Sequence, residues 1–137
     1  MFGFVRHWSR RAATGDASIA EQGRLVLVTE AVHSLIVRGE PATVNAVARE
    51  LGIDQSGASR LIKSATDTGL LTMTKGTTDG RRRELSVTAA GHAALRQAHL
   101  WQEEIFAELT TGWSRQRCDN FQEAMADLIA RSYAIGI

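Results

Sequence analysis

The stretch from Thr43 to Gly69 constrains the fold more than any other part of the chain. It holds two short amphipathic segments, each opened by a capping residue and closed by a glycine, with a single residue between them. Thr43 is a helix N-cap, and Val44, Val47, Ala48 and Leu51 follow at i, i+3, i+4 and i+7, on one helical face. Gly52 ends that helix. After Ile53, Asp54 caps another, in which Ala58, Leu61, Ile62 and Ala65 face inward until Gly69. Two short helices joined by a tight glycine-containing turn are the helix-turn-helix arrangement.

The flanking sequence extends this pattern. Ser18-Ile19-Ala20-Glu21 has the form of a capping box, which predicts a helix start at Ser18. Leu25, Val28, Val32, Leu35 and Ile36 recur at helical steps behind it, until Gly39 and Pro41 stop the helix near Arg38. Phe4 to Ala13 is read as a short extra helix. Leu70 to Lys75, a Gly76–Gly80 turn, and alternating Leu85 and Val87 predict a β-hairpin. Thr88 caps a long helix to about Glu108, with Ala94, Ala98, Trp101, Ile105 and Leu109 as its stripe. Ser114 caps a last helix with Cys118, Phe121, Met125, Leu128 and Ile129 turned inward. The expected class is mainly α (α+β), in the order three helices, a hairpin and two helices.

Charge is unevenly spread. The whole chain carries 16 Lys and Arg against 15 Asp and Glu, yet Gln55 to Arg83 holds six basic residues and only Asp67 and Asp79. Such a basic patch fits a polyanion. On the outward face of the third helix, Gln55, Ser56, Ser59, Arg60 and Lys63 are side chains able to bond base edges and phosphates in a major groove, Gln55, Ser56 and Ser59 in the N-terminal part that reaches bases. Gly57 in its first turn is read as room for another backbone, either the preceding helix or DNA. At the hairpin tip, Arg81, Arg82 and Arg83 repel one another, and guanidinium groups on a narrow ribbon suit the negative potential of a minor groove. Double-stranded DNA is therefore the expected partner.

Three stretches together resemble one family. They are Val44-Asn45-Ala46-Val47-Ala48-Arg49-Glu50-Leu51-Gly52-Ile53, then Ser59-Arg60-Leu61-Ile62 with Gly69-Leu70-Leu71, and Asp79-Gly80-Arg81 followed nine residues after Asp79 by Thr88, in Val87-Thr88-Ala89-Ala90-Gly91. From about Thr29 to Gly91 the chain resembles the winged helix-turn-helix of the MarR family of bacterial transcription regulators. Gly57, Val87 and Ala65 depart from the usual pattern, and none of these removes a DNA-contacting charge. The resemblance implies a single domain over 1–137, with a winged helix-turn-helix at 29–91 and dimerisation helices at 1–28 and 92–137. It implies that Arg81 enters the minor groove, that Asp79 orients it, and that Arg82 and Arg83 hold phosphates or structure. It further implies a homodimer acting as a ligand-responsive repressor on a pseudo-palindromic operator, with a small aromatic effector met by His33 and Trp101. The alternative is a winged-helix module turned to protein interaction.

Other chemistry has little support. His92 and His99 are seven residues apart on one helix, too far for one ion, and a joint site would need ligands from another element; no metal site is assigned. Cys118 falls on an apolar stripe and is read as buried and inert. Asp119, Glu123 and Asp127 are read as a solvated face. No phosphate loop or nucleophile elbow is visible, so no enzyme and no cofactor is expected. No apolar run approaches the roughly 20 residues of a membrane span, no signal peptide is visible, and the expected location is the cytoplasm.

Overall fold

The computed structural model describes residues 17–75 and 83–135. In chain order these form helices α1 (Ala17–Val37), α2 (Val44–Leu51) and α3 (Gln55–Asp67), strands β1 (Leu71–Lys75) and β2 (Arg83–Val87), and helices α4 (Ala89–Leu109) and α5 (Arg115–Ile135). The expected helix at Phe4 to Ala13 and most of the hairpin tip lie outside the described residues. None of the described helices is long and apolar enough to cross a membrane. The chain divides into two units, residues 1–98 and 99–137.

Local chemistry sets the boundaries in the first unit. Thr43 Oγ1 accepts from Ala46 N at 3.2 Å at the start of α2, and Asp54 Oδ1 accepts from Gly57 N at 3.1 Å at the start of α3. Helix α1 is described from Ala17, and the start expected at Ser18 falls within its first turn. At the other end Glu40 N donates to Leu35 O at 2.9 Å around a left-handed Gly39. That bond satisfies a carbonyl the helix itself cannot reach.

The core is built where these helices meet the hairpin. Leu25, Val28, Ala31, Val32 and Leu35 of α1, Ala46 and Val47 of α2, Ile62 and Ala65 of α3, and Leu71 and Leu85 of the strands form one buried cluster with Ala42. Thr29 is fully buried among them, its hydroxyl donating to Leu25 O at 2.7 Å, which removes the cost of burying that group. Ile36, expected to face inward, is exposed; it sits in the last turn of α1 beside exposed Val37, beyond the core.

The strands pair antiparallel, with Leu71 opposite Val87 and Met73 opposite Leu85. A two-stranded hairpin has little stability alone. Here Leu85 N donates to Ala42 O at 2.8 Å, and Thr88 N donates to Leu70 O at 3.1 Å. The Thr88 hydroxyl donates to Gly69 O and accepts from Gly91 N at 3.0 Å. One side chain thus caps α4 and ties it to the residue that ends the turn after α3. Gly91 makes the approach possible: a Cβ there would overlap the Leu70 carbonyl oxygen and lie 2.7 Å from Val87 Cγ1.

In the second unit, Ser114 Oγ accepts from Arg117 N at 3.2 Å and opens α5. The Phe106 and Phe121 rings stack with centroids 5.9 Å apart, Trp113 meets Phe121 edge-on at 5.9 Å, and the Arg117 guanidinium lies 4.1 Å over Trp113. These contacts fold the end of α4 back on the start of α5. Further along α5, Met125, Leu128 and Ile129 were expected to face inward and are exposed, as is the rim of Phe121. Cys118 is half-buried and not enclosed, and no described residue of α5 is fully buried.

Two glycines should respond oppositely to alanine. Gly91→Ala forces a carbonyl and a valine apart and should lower stability by about 1–3 kcal/mol. Gly23→Ala, inside α1 where a Cβ meets nothing within 4 Å, should raise it by about 0.5–1 kcal/mol. Urea denaturation of both variants checks this; equal effects would contradict the packing around Gly91.

Candidate nucleic-acid interface

Helix α3 buries Ala58, Ile62 and Ala65 and leaves its opposite face to solvent. All five side chains singled out on that face, Gln55, Ser56, Ser59, Arg60 and Lys63, are exposed. The N-terminal turns therefore display hydrogen-bonding side chains, with two cations further along.

Gly57 has a different role from the one expected. A Cβ at this position would lie 2.7 Å from Asp54 Oδ1, the atom that accepts from Gly57 N. The missing side chain makes room for the cap of its own helix, so no second backbone is needed to account for it.

The cations are not equally free. Lys63 Nζ donates to Asp67 Oδ2 at 2.8 Å, one helical turn away, and both side chains are well exposed. The hydrogen bond to Asp67, and then its charge, raise the Lys63 pKa above the ordinary lysine value. Exposed pairs of this spacing are weak, so a phosphate can displace the carboxylate.

Arg83 opens β2 and is exposed, its backbone in register with Lys75. Asp79, Arg81 and Arg82 lie outside the described residues. The wing's root is nevertheless defined, because β1 and β2 are held by Ala42, Leu70 and Thr88.

A positioning interaction that sequence reasoning missed lies behind the helix-turn-helix. Arg38, just after α1, donates from both terminal nitrogens to Glu50 of α2, at 3.0 Å to Oε1 and 2.7 Å to Oε2. The same guanidinium reaches Ser34 Oγ at 2.7 Å and Glu40 Oε1 at 3.3 Å. Hydrogen bonding to Glu50 above all raises the Arg38 pKa, keeping the guanidinium charged. Both partners are about three-quarters covered, so the fork is screened less than a surface pair and fixes α2 against α1. Arg38 and Glu50 are twelve residues apart, and no local pattern announces such a pair.

The two residues implied for an effector fall in different units. His33 is half-buried on α1 in the first, and Trp101 is exposed on α4 in the second. Among the described residues no group of three or more His, Cys, Asp or Glu is arranged around a metal.

Comparison with known proteins agrees with this architecture. The MarR family model matches residues 33–82, from the last turns of α1 to the residue before β2. No curated protein matches the chain by sequence. Among solved structures, the chain is similar to a MarR family transcriptional regulator from Silicibacter pomeroyi, with 20% identity, a TM-score of 0.62, and coverage of 94% of this chain and 86% of that one. It is similar to MepR of S. aureus in a DNA complex, with 14% identity, a TM-score of 0.59 and 96% of each chain covered. It is also similar to the heme sensor PefR of Streptococcus agalactiae bound to heme, with 19% identity, a TM-score of 0.53, and coverage of 93% and 85%. Residues 33–82 thus match the MarR family model, and the chain shares the winged-helix fold of solved MarR-family structures.

Proposed function

We propose that this protein is a sequence-specific DNA-binding transcription regulator, acting as a homodimeric, ligand-responsive repressor on a pseudo-palindromic operator. The observation that carries the reading is the exposed polar and basic face of α3, set beside a wing rooted by Thr88 and Ala42. In this reading the N-terminal turns of α3 enter the major groove, where Gln55, Ser56 and Ser59 meet base edges, and Arg60 and Lys63 contact phosphates. Arg81, oriented by Asp79, enters the adjacent minor groove, while Arg82 and Arg83 hold the backbone. MepR, crystallised with DNA, supplies a precedent on the same fold.

Two copies would place their α3 helices in successive major grooves about 10 bp apart, which a two-fold operator matches. The second unit supports the dimer through Met125, Leu128, Ile129 and Tyr133, each at least 40% exposed in the single chain. Apolar side chains clustered on one element favour burial by a partner, and a second copy is the partner that symmetry demands. A small aromatic effector completes the proposal. PcaV of Streptomyces coelicolor, in complex with its natural ligand, and PefR, bound to heme, are precedents for ligand response on this fold.

The contributions of individual side chains separate on a panel of single-base operator variants at two salt concentrations. Ser59→Ala or Gln55→Ala should relax preference at particular base pairs, by about 1–3 kcal/mol where a good contact is lost. Lys63→Ala should lower the salt slope by about one and leave the preference unchanged. Asp67→Asn should strengthen binding to every sequence, since the phosphate then has no carboxylate to displace. Arg81→Ala should weaken binding most where the flank is A·T-rich. Unchanged affinity of the Arg81 variant on all sequences would refute the wing contact.

Leu128→Asp places a charge on the proposed interface and should weaken dimerisation and DNA binding together. Sedimentation at micromolar concentration checks this. A stable dimer in that variant would put the interface elsewhere.

A further inference from the structure

Histidines 33 and 92, fifty-nine residues apart in sequence, meet in the first unit. His33 lies on α1 and His92 in the first turn of α4, with ring centroids 5.6 Å apart and planes at 89°. We propose that they form a two-histidine site for a borderline divalent transition-metal ion, zinc or its neighbours nickel and copper, which joins α1 to the root of α4.

The spacing carries this inference. A metal-bound imidazole nitrogen sits about 2.0–2.1 Å from zinc, so two rings on one ion at tetrahedral to trigonal angles have centroids roughly 5–6 Å apart. The observed separation falls in that range. A large angle between the planes is no obstacle, because each ring can turn about its own metal–nitrogen bond. His33 is half-buried and His92 is exposed, so the pair has one covered side and one open to solvent. Imidazole pairs select zinc, copper and nickel over magnesium and calcium, which prefer oxygen.

The rest of the coordination shell is water. No third His, Cys, Asp or Glu joins the pair among the described residues, which implies a micromolar site and not a permanently filled one. The imidazole donors choose the ion. His92 N donates to Thr88 O at 2.9 Å, so an ion held here would fasten α1 to the helical turn that anchors the wing. Metal binding at this site does not depend on the DNA-binding reading, and its test needs no DNA.

The experiment is a zinc titration of the full chain against a chromophoric chelator in a weakly coordinating buffer, with histidine ring protons followed by NMR. The expected result is one zinc per chain with micromolar affinity, shifts of both the His33 and His92 ring signals, and a rise in Tm with added zinc. His92→Gln and His33→Gln should each weaken binding on the order of tenfold or more and abolish the rise in Tm. His99→Gln should change neither, and excess magnesium should not compete. Because His92 is exposed, its variant tests the site even if the His33 variant folds poorly. Zinc that binds the His92 variant as tightly as the unaltered chain, or that shifts only one of the two ring signals, would overturn the proposal.

Discussion

The hydroxyl of Thr88 stands at the junction on which the first unit depends. It donates to the carbonyl of Gly69 and accepts from the amide of Gly91, while the Thr88 amide bonds Leu70 O. The end of α3, the start of β1, the end of β2 and the start of α4 therefore meet at one residue. A hairpin of ten strand residues cannot hold its own direction. Pinned at Thr88 and again by Leu85 to Ala42, it becomes an arm with a fixed angle to α3. Gly91 is the condition for that junction, since any side chain there would push the Leu70 carbonyl away. The spacing between Val87-Thr88 and Gly91 thus has a packing reason that holds whatever the wing touches.

Local signals explain why α2 and α3 were legible in the sequence. Thr43 and Asp54 cap the two helices, as their side-chain chemistry predicts, and Gly52 takes the left-handed conformation that ends the first. Two local patterns point elsewhere than the structure does. The Ser18 capping-box pattern fell one residue inside α1, and Gly57 was read as space for a neighbour when the space is filled by the Asp54 carboxylate. The Arg38–Glu50 fork and the His33–His92 pair were not legible at all. Both depend on helices distant in sequence coming side by side, and hydrophobic periodicity fixes which face is buried without fixing which polar groups then meet.

The same limit governs α5. Its period-3.6 pattern marks Phe121, Met125, Leu128 and Ile129 as one apolar face, and the single chain leaves that face exposed. Periodicity reports that a face is apolar. It is silent on whose surface covers it. Among the described residues, Phe121 packs against Phe106 and Trp113, and Met125, Leu128 and Ile129 further along α5 are exposed. Cys118, one turn before Phe121, is half-buried.

Electrostatics bears on the proposed dimer through this helix as well. Residues 99–137 carry three arginines against six acidic residues, so two copies meeting here bring like charge together. The arrangement on α5 limits the repulsion. At about 100° per residue, Asp119, Glu123 and Asp127 fall on one side of the helix, and Phe121, Met125, Leu128 and Ile129 centre about 180° away. Arg131 further offsets Asp127, with Nε donating to Oδ2 at 2.9 Å. A partner seated on the apolar side meets methyl and ring surface while the carboxylates remain hydrated on the far side. The acidic charge then costs the interface little.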